Sequence, residues 1–151
     1  MKVVIQKVKE AKVVVEDKIV GSIDHGFVLL VGIETTDTLQ DIEKAADKIS
    51  KIRLFDDEDG KINLSIQDVK GSILSISQFT LAADIRKGNR PSFIGAMAQY
   101  KAQEYYELFN EALRKEGIDV QTGVFQTQMN VILDNDGPVS IVMEVKDGKV
   151  L

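Results

Sequence analysis

Residues 129–145 read Met-Asn-Val-Ile-Leu-Asp-Asn-Asp-Gly-Pro-Val-Ser-Ile-Val-Met-Glu-Val. Two runs rich in β-branched residues, 129–133 and 139–145, flank Asn135-Asp136-Gly137-Pro138. Such runs favour extended chain, and Asn-Asp-Gly-Pro between them spells a turn, so a hairpin reversal is expected. Pro138 is one of only two prolines and falls where the second strand should begin. It donates no ladder hydrogen bond, and Gly137 beside it widens the accessible backbone. X-Pro bonds are also where cis peptides occur, usually in tight turns. Two readings stand at this point: an ordinary hairpin turn, or main chain shaped for a purpose.

Outward from this stretch, the chain alternates strands and helices. Residues 3–15 are rich in valine, residues 16–18 form a turn, and 19–23 continue as strand. The run Phe27-Val28-Leu29-Leu30-Val31 lies between Gly26 and Gly32, and its unbroken hydrophobicity predicts a strand buried on both faces. Thr38 with Asp41 three residues on is a helix start, and Ile42, Ala45, Ala46, Ile49 and Ile52 follow on one helical face. Asp56-Asp57-Glu58-Asp59-Gly60 lacks the twelve-residue ligand spacing and closing glutamate of a calcium loop, so an acidic hairpin turn is expected. A strand at 72–76 precedes a loop through Arg90-Pro91. A second helix is expected over 95–116, burying Tyr105, Leu108, Phe109, Ala112 and Leu113, with Gly117 as its C′ residue. Strands at 120–124, 129–133 and 139–145 end the chain. The expected fold is α+β: a single domain over 1–151 with a largely antiparallel, curled or two-layer sheet and two main helices. Two helices leave part of such a sheet uncovered, so curling or a dimer interface must hide the rest.

The chain has 151 residues, 44% of them hydrophobic and 28% charged, a globular profile with enough length for one real core. No apolar run approaches membrane-spanning length, and residues 1–7 are too interrupted by charge for a signal peptide. Cysteine is absent, which excludes disulfides, thiolate chemistry and sulfur-built zinc sites; a cytoplasmic location is expected. The net charge of −5 opposes non-specific coating of nucleic acid. A local exception is Arg86-Lys87-Gly88-Asn89-Arg90, either a solvated turn or a phosphate contact.

Most catalytic sets are missing. His25 is the only histidine and lies in a turn, so a histidine metal cluster is impossible and a Ser-His-Asp triad has poor material. There is no Walker loop and no GxGxxG, and no cofactor is implied. What remains is Ser77-Gln78-Phe79-Thr80, where hydroxyls, an amide and an aromatic ring gather as a buried strand gives way to a loop. Such strand ends often carry sites, although local hydrogen bonding of strand residues accounts for them equally well.

Ser77-Gln78-Phe79-Thr80-Leu81, followed by Asp84, Arg86-Lys87-Gly88 and Arg90-Pro91-Ser92-Phe93, resembles the D-aminoacyl-tRNA deacylase family. Asn135-Asp136-Gly137-Pro138-Val139 resembles that family's second signature, and residues 1–8, Gly32-Ile33 and Ile52-Arg53-Leu54-Phe55 fall in register. The resemblance implies a homodimeric hydrolase that cleaves the ester between a D-amino acid and the 3′ end of tRNA, and that also removes glycine mischarged onto tRNA for alanine. It implies a cis Gly137–Pro138 peptide entering the partner subunit's site to screen the Cα substituent. Ser77, Gln78, Phe79 and Thr80 are implied to line the pocket for the carbonyl and terminal ribose, with Phe125 and Met129 beside them. Arg86, Lys87 and Arg90 are the candidate tRNA phosphate contacts. The family commonly has threonine where Ser140 stands, an aromatic near Ala82-Ala83, and small residues in place of Gln126-Thr127-Gln128. A competing expectation is a nucleic-acid-binding accessory protein without deacylase activity, which the net charge opposes.

Overall fold

The computed structural model describes residues 1–151. Its elements in chain order are β1 (Lys2–Val15), β2 (Lys18–Ile23), β3 (Gly26–Gly32), α1 (Leu39–Lys51), β4 (Arg53–Asp56), β5 (Ile62–Ser65), β6 (Ser72–Ser77), α2 (Gln99–Lys115), β7 (Asp119–Thr122), β8 (Asn130–Lys146) and β9 (Lys149–Val150). At 14 residues, β1 is long enough to serve three neighbours. One edge pairs with β3 through residues 2–8 and with β2 through residues 11–15. The other edge pairs with β8 from Lys2↔Glu144 to Val14↔Asn130.

The strand order is β7-β6-β3-β1-β8-β9, with β2 also beside β1. All pairs of β1 are antiparallel, whereas β3–β6 and β6–β7 are parallel. The sheet is therefore mixed, so the expectation of a largely antiparallel one holds only in part: the pairs made by β1 and β8–β9 are antiparallel and the other two parallel. The cause is the helices: each carries the chain back across the sheet before the next strand of that sheet begins, and such crossovers return strands in the same direction.

Both helices cover one face, where Ile42, Ala45, Ala46 and Ile49 of α1 and Tyr105, Tyr106, Phe109 and Leu113 of α2 meet Val3, Ile5, Phe27, Leu29, Val31 and Ile73. Burying Phe27 and Phe109 completely contributes about 2–3 kcal/mol each. The other face is hidden by curling. Val8, Ala11, Val13, Ile23, Val28, Leu74 and Ile76 form a second core inside the curl. There β2 runs so close to β7 that a Cβ on Gly21 would lie 2.8 Å from the Thr122 carbonyl oxygen. The expectation that β3 is buried on both faces holds, with Phe27, Leu29 and Val31 in one core and Val28 in the other. No helix is long and apolar enough to cross a membrane.

Two expectations about elements need correction. The hairpin predicted at 135–138 does not form, because β8 continues in one direction through residues 130–146. The ladder with β1 is interrupted between Val8↔Asn135 and Gln6↔Ser140, so four residues of β8, 136–139, stand against Lys7 alone. Turn-forming residues here build an outward bulge, since β1 offers both halves of β8 antiparallel partners on one edge. In addition, α2 begins at Gln99 and not at 95: the Met97 N–H donates to the Ile33 carbonyl at 3.0 Å and the Gly95 carbonyl accepts from Thr35, fastening this non-helical segment to the chain after β3. Leu108 is 43% exposed, and Tyr106 and Asn110 take up the buried face with Tyr105, Phe109 and Leu113. Gly117 follows α2 with φ +84°, as a C′ residue should.

The start of α1 does form as the sequence predicts. Asp41 Oδ2 accepts from the Thr38 N–H and Thr38 Oγ1, both at 2.9 Å, while its Oδ1 accepts from the Gly148 N–H at 2.8 Å. Burial raises the Asp41 carboxyl pKa, but these donors more than offset it and hold it below the ordinary aspartate value. Asp41→Ala is expected to destabilise the protein by about 2 kcal/mol in urea titration, the scale of a lost cap and of hydrogen bonds to a charged acceptor. Because the folded-state pKa is depressed, this contribution is present above the unfolded value of 3.8 and is lost as pH falls through the folded pKa. The difference between wild type and variant should therefore shrink in acid.

Candidate active site

A concavity opens where β6 ends. Ser77 leaves the sheet, the Gln78 N–H donates to the Val31 carbonyl at 2.7 Å, and residues Phe79–Ala82 close a 3-10 turn. Opposite stand the segment before α2 and the stretch between β7 and β8. Together they enclose about 700 Å³ over a floor containing Val31, Ile33 and Ile76. That volume suits a small-molecule moiety of amino-acid or nucleoside size. Ser77, Gln78, Phe79, Phe125 and Met129 all line it, so five of the residues singled out from sequence converge.

Phe79 is 56% exposed at the mouth and packs edge-on against Phe93, ring centroids 5.1 Å apart at 67°. Phe125 lies 6.1 Å from the Tyr106 ring, which joins the pocket wall to the main core. Thr80 is exposed beside the pocket and is not among its lining residues. Its hydroxyl accepts a hydrogen bond from the Gln78 side-chain amide. The N–H groups of Phe79 and Thr80 open the 3-10 turn and donate to no protein acceptor.

The lining carries no ionisable side chain. Its polar groups are the hydroxyls of Ser77 and Thr127 and the amides of Gln78, Gln99, Gln126 and Gln128. The site can position, donate and accept hydrogen bonds, and exclude water, but it offers no side-chain general base. His25 is elsewhere, donating from Nε2 to the Val69 carbonyl at 2.9 Å. Gln99 and Met97 are site residues that the sequence does not single out, and Phe93 is quoted there only within the signature stretch, with no site role. Only its position after Arg90-Pro91-Ser92 hints at Phe93, and the polar run at 126–128 hints at the far wall.

The remaining candidates lie outside this pocket. Gly137 and Pro138, joined by a cis peptide, are exposed at the crest of the β8 bulge. Ser140 is at the base of the bulge, where its Oγ accepts from Asn135 Nδ2 at 3.1 Å. In the basic loop, Arg86 is committed to Asp84 through Nε at 2.9 Å and Nη2 at 2.6 Å. That guanidinium holds the Asp84 carboxyl well below the usual carboxylate range. The Asp84 and Ser92 backbones exchange hydrogen bonds at 2.8 and 2.9 Å, so Arg86 stiffens the base of the loop. Lys87 and Arg90 are exposed and form no ion pair.

The sequence profile of the D-Tyr-tRNA(Tyr) deacylase family matches residues 4–144. A protein of Geobacillus sp. (strain WCH70) named D-aminoacyl-tRNA deacylase is 54% identical over 147 residues, covering 97% of both chains. One of the same name from Lactobacillus acidophilus is 54% identical, over 96% of this chain and all of its own. Among solved structures, one named c-Myc DNA Unwinding Element Binding Protein superposes with TM-score 0.89 at 39% identity, over 95% of this chain and 98% of its own. Another, described as a probable eukaryotic D-amino acid tRNA deacylase, shares the fold at TM-score 0.81 and 17% identity, over 93% of this chain and 97% of its own. With both signature stretches inside the matched span and nearly the whole chain aligned, this chain belongs to the D-Tyr-tRNA(Tyr) deacylase family and is a hydrolase.

Proposed function

We propose that the chain hydrolyses the ester joining a D-amino acid, or glycine on tRNA for alanine, to the 3′ end of tRNA, and acts as a homodimer. The observation that carries this reading is the convergence of Ser77, Gln78, Phe79, Phe125 and Met129 on one uncharged pocket. An aminoacyl ester is already activated, so a site without a side-chain base suffices if it orients water and stabilises charge. In this reading water attacks the ester carbonyl carbon, assisted by the neighbouring ribose 2′-hydroxyl. The free N–H groups of Phe79 and Thr80 receive the oxyanion, and the 3′-oxygen leaves with a proton. Positioning and preorganised donors then supply the rate, with one such donor worth on the order of 10²–10³-fold.

Selection against L-substituents falls to the main chain at Gly137–Pro138 of the second subunit. Enantiomers carry the same groups, so a rigid obstacle must separate them. Gly137 has φ +126°, and a Cβ there would lie 2.8 Å from Val139 Cγ2, so the crest accepts no side chain of its own. Glycine offers the obstacle nothing to meet. β8 also leaves Val142 69% exposed, apolar surface that a second copy would cover. Lys87 and Arg90, the free cations beside the Phe93 rim, suit acceptor-stem phosphates. Duplex DNA binding is the rival reading, prompted by the name of the 39%-identical structure, and the net charge of −5 opposes it.

Ester loss from D-Tyr-tRNA should greatly outpace that from L-Tyr-tRNA, and equal rates would sink the proposal. Salt-sensitive binding of duplex DNA with no ester loss would favour the rival. Thr80→Ala should keep kcat within about threefold, since no base adjoins the hydroxyl to make it a nucleophile; collapse to background would revive an acyl-enzyme. Lys87→Glu with Arg90→Glu should raise KM for D-Tyr-tRNA by about tenfold while sparing a D-tyrosyl adenosine ester that lacks the stem.

A further inference from the structure

The bulge of β8 is left without ladder partners over residues 136–139, and its crest, Gly137 and Pro138, is exposed. A four-residue bulge with a glycine at its crest would ordinarily be loose, because nothing in the sheet fixes its direction. Here one side chain closes its base. Asn135 Oδ1 accepts from the Val139 N–H at 2.9 Å, linking the last paired residue before the bulge to the bulge's last residue. Asn135 Nδ2 donates to Gln6 Oε1 at 2.8 Å and to Ser140 Oγ at 3.1 Å. Gln6 and Ser140 are directly opposed in the β1–β8 ladder, so the amide is tied to the first regular rung beyond the bulge. Val139 in turn packs against the main core, so the clamp ends on a rigid element.

We infer that Asn135, held by Gln6 and Ser140, is the positioning residue that sets the direction and stiffness of the Gly137–Pro138 crest, and thereby the strength of discrimination between D- and L-aminoacyl esters. This rests on the proposed role of the crest as the obstacle to L-substituents. An asparagine suits this position. The Asn135 amide accepts from the Val139 N–H and donates to the Gln6 and Ser140 oxygens with one side chain. Aspartate keeps the acceptor for the Val139 N–H and is bonded at the other two positions only if Gln6 and Ser140 turn to donate; alanine loses every bond. A crest released from the clamp samples more directions, so an L-substituent that it formerly excluded finds room.

The test compares wild type, Asn135→Ala, Asn135→Asp and Gln6→Ala on D-Tyr-tRNA and L-Tyr-tRNA, with thermal unfolding to confirm a folded protein. The expected result is a rise in the rate on the L-ester, lowering the D/L ratio of kcat/KM by about tenfold or more in Asn135→Ala and by less in the other two. General damage to the fold lowers both rates and cannot raise one. Folded variants whose L-ester rate stays at the wild-type level overturn the inference, as does a parallel fall in both rates. Should Asn135→Ala not fold, Gln6→Ala decides the question in the same way, since it removes only the anchor. A wild-type protein with no preference for the D-ester overturns the reading of the crest beneath this inference; a wild-type preference that survives every substitution overturns the inference alone.

Discussion

Every other part of the structure is arranged around the double-edged pairing of β1. Fourteen residues of one strand are hydrogen-bonded by β3 and β2 on one edge and by β8 on the other. A strand so committed has no freedom to slip, because a shift of one residue would move Val3 and Ile5 out of the main core and Val8 to the wrong face. The ladder to β8 nevertheless spans a stretch where one chain is longer than the other. Since β1 cannot lengthen, the excess leaves the sheet as the bulge at 136–139. Lys7 sits beneath it, buried and 4.0 Å from both Asp136 and Asp56, so the bulge is also tied to the β4–β5 hairpin.

The same curling positions the pocket. Because β6 lies next to β3, its C-terminal end delivers Ser77 and Gln78 beside Val31, and the Gln78 N–H completes the pairing just before the chain turns. The 33–35 loop then holds residues 95–97 as a second wall, and the chain between β7 and β8 supplies the third. Backbone hydrogen bonds to rigid strands fix the first two walls, which leaves their side chains free to face the cavity. A site built this way needs few charges, and this one has none in its lining.

Local features are legible in the sequence because local forces decide them. The cap at Thr38 and Asp41, the buried stripe of α1, the doubly buried β3 and the acidic hairpin turn at 56–60 each follow from a few adjacent residues. The turn forms as expected, with Asp57 Oδ1 accepting from the Asp59 and Lys61 N–H groups. The bulge at 136–139 reads as a reversal in the sequence because asparagine, glycine and proline suit both; what separates them is the length of β1, more than 120 residues away in the chain, as the Gln6↔Ser140 pair shows. Strand direction escapes the sequence for a related reason, since nothing in residues 72–77 states which neighbour they will join. Phe93 and the glutamines of the pocket wall become site residues only through contacts between distant segments. Spacing places Leu108 on the buried face, whereas Tyr106 occupies it, its hydroxyl satisfied by the Ser75 carbonyl at 2.7 Å.

A pocket without ionisable groups limits the ways in which it can tell substrates apart. Charge recognition is unavailable, and the hydrophobic term is the same for two mirror-image side chains. Discrimination therefore has to come from where rigid atoms stand, and a wall is only as selective as it is stiff. Side chains reorient among rotamers within nanoseconds, so they make poor walls unless packed on all sides. Main chain held at both ends by a sheet and across its base by an amide does not have that freedom. On this view the extra residues of β8 and the polar clamp beneath them belong to one device: the mismatch in strand lengths creates a projecting main-chain segment, and Asn135 removes the mobility that such a segment would otherwise have.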